Sequence, residues 1–149
     1  MTEQPQGMSL QEALAQLAAL EDYMGRLQTL ITALEQRIAR LTETEDAIQM
    51  LDENTEIMAS VDGAGEVYFK AKPVNPDKLL IHLGLDLYAE LPREKALDLI
   101  RDERAKTARL LDNYRRELMS VAQYYQNLRA AVEQAVEAAR RAQQGQRKR

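Results

Sequence analysis

Few residues of this chain are of a kind that does covalent chemistry, for it has no Cys and a single His. Disulfides and thiolate metal sites are thereby excluded. His82 lies in an apolar alternation, and its neighbours Ile81 and Leu83 point to the opposite face of the strand expected there. A lone imidazole on an outer face reads as a surface or interface residue, because a metal site needs further donors. Asp62-Gly63-Ala64-Gly65 has the glycines of a phosphate-cradling turn. It lacks the Lys and Ser/Thr of a phosphate loop and no helix follows, so it reads as a hairpin turn. Glu43, Glu45 and Asp46 form the kind of acidic cluster that a solvated helix face carries. Arg140, Arg141, Arg147, Lys148 and Arg149 carry the charge to touch nucleic acid. On a chain of net charge −4 they read instead as a solubilising tail or a contact with an acidic partner. No catalytic residue, cofactor site or metal site is expected, and no enzyme activity.

The elements around these residues are dominated by two heptad tracks. The first is Leu10, Ala13, Leu17, Leu20, Met24, Leu27, Ile31, Leu34, Ile38, Leu41, Glu45, Ile48. The second is Leu97, Ile100, Arg104, Thr107, Leu111, Tyr114, Leu118, Val121, Tyr125, Leu128, Val132, Ala135. Alternating steps of three and four keep an apolar seam on one side of a supercoiled helix. Charged residues make up 30% of the chain and aromatics 5%, a balance that suits coiled coil better than a globular core. Ser9 with Glu12 forms a capping box, so helix 1 is expected at about 9–52 and helix 2, after Pro92, at about 93–143. Residues 1–7 and 144–149 read as polar tails.

Between the helices the period changes to two. Ile57, Ala59 and Val61, then Val67, Phe69 and Ala71, alternate with polar or exposed positions around the Asp62–Gly65 turn. Leu79, Ile81 and Leu83, then Leu87, Ala89 and Leu91, make a second such pair around Gly84 and Asp86. The fold class is therefore α+β: a long antiparallel coiled-coil hairpin with two β-hairpins, at about 55–91, between its helices.

One antiparallel register, whose pattern a shift of one heptad would also keep, pairs seam residues whose numbers sum to 145, setting Leu17 against Leu128, Leu20 against Tyr125 and Ile48 against Leu97. It brings Glu45, Arg104 and Thr107 into neighbouring layers. Either Glu45 bridges to Arg104 and fixes the register, or both side chains snorkel to solvent. Residues 10–52 hold eight acids and three bases, a net of −5, and residues 93–149 hold eight acids and fourteen bases, a net of +6. That asymmetry favours pairing of one helix with the other. No apolar h-region opens the chain, and no run approaches the roughly 20 apolar residues of a membrane span. A soluble, cytoplasmic protein that avoids membranes is expected. An isolated hairpin is marginal in water and its edges need covering, so the strands are the expected assembly interface, through Ile57, Val67, Phe69, Ile81, Leu83 and Leu87.

From about Leu10 to Val136 the arrangement resembles the α subunits of the prefoldin family. Ile48-Gln49-Met50-Leu51 leading into Glu56-Ile57-Met58 carries the resemblance, with Gly63-Ala64-Gly65 before Val67-Tyr68-Phe69-Lys70-Ala71. So do Lys78-Leu79-Leu80-Ile81-His82-Leu83-Gly84, Leu87-Tyr88-Ala89-Glu90 and the helix start Glu94-Lys95-Ala96-Leu97. Two departures stand out: Met58-Ala59-Ser60 where the family often has a Pro, and Gly84-Leu85-Asp86 in place of a Gly-Ala-Gly-like turn. The resemblance implies an α2β4 hexamer with β-type subunits. It implies ATP-independent holding of unfolded proteins at coiled-coil tips and their delivery to a group II chaperonin. The expected client surface is then Met8, Leu10, Leu14 and Leu17 with Leu128, Val132 and Val136, where the seam thins to Ala13 and Ala135. The alternatives are a structural coiled-coil scaffold without client binding, which has no need of two hairpins, and a nucleic-acid binder. The latter needs free stacking aromatics, whereas the register places Tyr114 and Tyr125 in the seam.

Overall fold

A computed structural model describes residues 7–148 of the chain. The expected N-terminal tail, apart from Gly7, and Arg149 lie outside the described residues. The element order is α1 (Leu10–Met50), β1 (Ile57–Ser60), β2 (Tyr68–Ala71), β3 (Lys78–Gly84), β4 (Leu87–Pro92) and α2 (Arg93–Arg147). The fold is two long helices packed together with two small antiparallel hairpins between them in sequence. Its residues form two compact units, 7–34 with 110–148 and 35–109.

In the first unit α1 starts where the capping box places it. The Ser9 amide donates to Glu12 Oε2 at 2.7 Å, and the Glu12 amide donates to Ser9 Oγ at 3.2 Å. These two bonds satisfy amides that the first turn leaves without helical partners, and the Ser9 amide, aided by the Ser9 hydroxyl, holds the Glu12 carboxyl below its ordinary range. Every seam position from Ala13 to Leu34 is buried or half-buried, as is every one from Leu111 to Val132. Leu27 is the most enclosed side chain of this unit, only 2% exposed. The Tyr125 hydroxyl donates to Glu21, the residue after Leu20, and so fits the register that sets Tyr125 opposite Leu20. A slip of one heptad would move the pair apart by about 10 Å along the axis. The Tyr23 hydroxyl donates to Glu117, and Gln16 Nε2 donates to the Tyr124 hydroxyl at 3.0 Å.

The outermost layer differs from the heptad expectation. Ala135 is exposed and Val136 is half-buried in its stead. From Leu128 the seam steps by four twice, through Val132 to Val136, the drift of a helix that follows 3.6 and not 3.5 residues per turn. α2 also runs beyond residue 143, as far as Arg147.

In the second unit Ile38, Leu41, Ile48, Leu97, Ile100 and Thr107 are buried or half-buried, and Ala96 has no exposed surface. The hairpins form two separate two-stranded sheets. In β1–β2, Ile57 pairs with Ala71 and Ala59 with Phe69. Val67 lies just outside β2, although its carbonyl still accepts from the Val61 amide at 3.0 Å. In β3–β4, Leu79 pairs with Leu91, Ile81 with Ala89 and His82 with Tyr88. The register then shifts between His82 and Gly84, so Leu83 sits in a bulge. Simple alternation puts Leu83 on the face of Ile81; the extra residue takes it out of that row. Leu85 and Asp86 both have positive φ, 50° and 60°. That is the requirement of a two-residue hairpin turn of the primed kind, met here without the usual Asn-Gly.

Candidate functional site

The exposed apolar side chains of the second unit collect on the hairpins. Ile57, Met58, Val67, Tyr68 and Phe69 are exposed on the first, with Phe69 at 52%. Leu80, Leu83, Leu87 and Tyr88 are exposed on the second. Of the six expected interface residues only Ile81 is half-buried, in the row with Leu79, Ala89 and Leu91. Each sheet has two strands, so each strand has an open edge. Open edges and apolar faces together make a template for further strands.

The turn that resembled a phosphate cradle is filled by the chain itself. Asp62 Oδ1 accepts from the Ala64 and Gly65 amides, each at 3.1 Å, and from the Ser60 hydroxyl at 3.0 Å. Gly63 and Gly65 supply the positive φ values that aim those amides inward. These donors, the Ser60 hydroxyl foremost, hold the Asp62 carboxyl below its ordinary range. His82 packs against Tyr88 across the strand pair in a tilted arrangement, 5.0 Å centroid to centroid, a cross-strand contact on the outer face. Among the described residues no group of His, Cys, Asp and Glu could hold a metal ion.

Two polar arrangements fix the hairpins' surroundings. Arg93, first residue of α2, donates from one guanidinium nitrogen to the carbonyls of Ile48 and Leu51, the latter at 2.6 Å. Helix α1 has no basic residue in its own last turn, and Arg93 supplies the missing donors to its orphan carbonyls. The Arg93 amide also donates to the Asp77 carbonyl at 2.9 Å, tying in the loop before β3. Sequence reading missed this cap because a long-range side-chain contact leaves no periodic signal.

The second is Glu45, a seam carboxylate only 8% exposed. It pairs with Arg104, so of the two readings of this layer the bridge is the one realised. Arg101 joins it, its Nε at 2.6 Å from Glu45 Oε1. Arg101 stands beside Ile100, the residue the register sets against Glu45, and that flanking position was the available signal for it. The Arg101 hydrogen bond, aided by the charge of Arg104, holds the Glu45 carboxyl below the ordinary glutamate range. A lowered folded-state pKa gives stability that is full above the unfolded value and lost as pH falls through the folded one. We expect Glu45→Gln to lower Tm at neutral pH, where it leaves two guanidinium groups without their carboxylate. We also expect it to flatten the Tm profile below about pH 4, where the wild type loses the ion pair. Equal Tm profiles for the two proteins would remove Glu45 as a stabilising element.

In the first unit, Met8, Leu10 and Leu14 are exposed where α1 begins, Leu10 at 48%. Leu17, Val132 and Val136 are half-buried, and Leu128 is buried in the seam at 5% exposure. The seven expected client residues thus divide into three that offer apolar surface, three at the edge of the seam, and one enclosed by it.

A helix-paired subunit bearing two hairpins with open strand edges and exposed apolar faces is the class these features define. The sequence matches the family described as "Prefoldin subunit" over residues 9–138. It is 44% identical over 133 residues to a prefoldin subunit alpha of Hyperthermus butylicus, covering 89% of this chain and 86% of that protein. It is 32% identical over 144 residues to that of Saccharolobus solfataricus, covering 94% and 96%, and 30% identical over 128 residues to that of Sulfurisphaera tokodaii, covering 86% and 85%. The chain belongs to the prefoldin family, non-enzymatic chaperones, and its relatives there are alpha subunits. Among the described residues no helix is long and apolar enough to cross a membrane.

Proposed function

We propose that the chain works as the α-type subunit of an α2β4 prefoldin complex that holds unfolded proteins without ATP and delivers them to a group II chaperonin. The hairpins supply the contacts to β-type subunits, and the exposed residues at the start of α1 supply part of the client surface. The observation that carries this reading is the group Met8, Leu10 and Leu14. These apolar side chains stay exposed at a helix start on a chain whose family has no enzymatic role. Exposed apolar groups of this kind suit unfolded chains, which offer apolar side chains without a fixed shape. A scaffold that only joins partners has no use for them.

The test is dilution of a chemically unfolded protein into this chain mixed with a β-type subunit, followed by light scattering. The complex should suppress aggregation to the same extent with and without ATP and Mg²⁺. Scattering equal to that of the client alone would leave the scaffold reading. Suppression that needs ATP would contradict holding without nucleotide.

A further inference from the structure

Asp62-Gly63 is the one place in the chain where an Asp or Asn precedes a Gly. That dipeptide is chemically vulnerable. When the Asp carboxyl is protonated, the backbone nitrogen of the following residue attacks its Cγ. A C–N bond forms, a C–O bond breaks, and the carboxyl hydroxyl leaves with the amide proton as one molecule of water. Water then opens the five-membered imide at either carbonyl, giving aspartate or isoaspartate. Glycine favours the step because no Cβ shields its nitrogen.

The hairpin turn blocks both requirements. The Gly63 N–H is spent on Ser60 Oγ at 3.1 Å, and the Ser60 hydroxyl is spent on Asp62 Oδ1 at 3.0 Å. Ser60 thus holds the nucleophilic nitrogen and the electrophilic carboxyl at once. The Ala64 and Gly65 amides pin the same Oδ1 at 3.1 Å, so Cγ cannot turn toward Gly63 without losing three donors. The same bonds favour the ionised carboxylate, whose oxygen is a poor leaving group. Tyr68 closes the turn from β2: its hydroxyl stands 2.7 Å from where a Cβ on Gly65 would lie.

We propose that Asp62-Gly63 is a site of spontaneous isoaspartate formation in this chain, and that Ser60 is the positioning residue that restrains the reaction while the β1–β2 turn is closed. Isomerisation adds a backbone methylene at the head of the hairpin and removes the acceptor that three donors share. It lies next to the Val61–Val67 hydrogen bond and the Ser60–Tyr68 and Ala59–Phe69 pairs. Damage here therefore loosens the strands that carry Phe69.

The test is prolonged warming of the full chain below its unfolding temperature, in buffer and in denaturant. Isoaspartyl methyltransferase labelling counts the product, and peptide mapping across Leu41–Lys70 locates it. Label should collect at Asp62, slowly in the folded chain and faster in denaturant. Ser60→Ala, with helical circular dichroism unchanged, should raise the folded rate about thirtyfold, the factor that its two lost net hydrogen bonds make in an opening equilibrium. Its rate in denaturant should match wild type. Ser60→Thr keeps the hydroxyl and should restore the slow folded rate. A folded rate equal to the denatured one, an unchanged rate in Ser60→Ala, or label centred on another residue would overturn the proposal. The comparison of folded with denatured wild type needs no variant, so a poorly folding substitution does not rescue the idea.

Discussion

Phe69→Asp should abolish assembly with β-type subunits while leaving the helical circular dichroism of the chain intact. Phe69 is half exposed on β2 and pairs with Ala59, so the described residues leave about half of its surface uncovered. If the open strand edges carry the subunit contacts, the exposed half of that side chain is covered in the complex, which contributes about 1–1.5 kcal/mol. An Asp in its place forfeits that term and adds a carboxylate with no partner in an apolar contact, a cost of several kcal/mol more. The helices are untouched, because their seam is formed by other residues and α1 is capped by Ser9, Glu12 and Arg93. Size-exclusion chromatography with a β-type partner reads the result. A variant that still elutes as the full complex would show that the strands are not the interface.

The helices were legible in the sequence because a seam is periodic, and their register was legible only to within a shift of one heptad, a choice that the Tyr125–Glu21 bond makes. Each seam residue from Ala13 to Val132 is buried or half-buried, and even the one charged layer, Glu45 with Arg104, could be located by counting. What counting missed is what breaks or crosses the period. The bulge at Leu83 inserts one residue into a strand whose composition gives no sign of it. The turn at Leu85-Asp86 adopts positive φ with residues that seldom do so, so its signal was weak. Arg93 acts across more than forty residues of chain, on carbonyls that every residue type possesses. The Asp62 turn was read correctly as a hairpin, but its internal anion, the carboxylate that takes the place of a phosphate, is a matter of geometry. The candidate surfaces were legible only as apolar residues without a partner. Composition shows that Leu10 and Leu128 are both Leu; the fold shows that one is open and the other enclosed.

That distinction sets the last expectation. Met8→Ser, Leu10→Ser and Leu14→Ser together should abolish client holding and leave the complex assembled. All three side chains are exposed, so their loss removes little helix packing, and Ser9 and Glu12 still cap α1. If each contributes about 1.5 kcal/mol when a client covers it, the three together weaken client affinity by roughly a thousandfold. The half-buried Leu17, Val132 and Val136 have surface to add, and Leu128 none until the seam opens. Leu128→Ala should therefore lower Tm, by the packing it loses, and leave holding unchanged at temperatures where the helices stay paired. Deleting residues 1–13 and 135–149 extends the test by removing the edge of the seam as well. Light scattering with an unfolded client reads holding, and elution volume reads assembly. Should the triple variant assemble and still suppress aggregation at the wild-type ratio of complex to client, the start of α1 is not the holding surface.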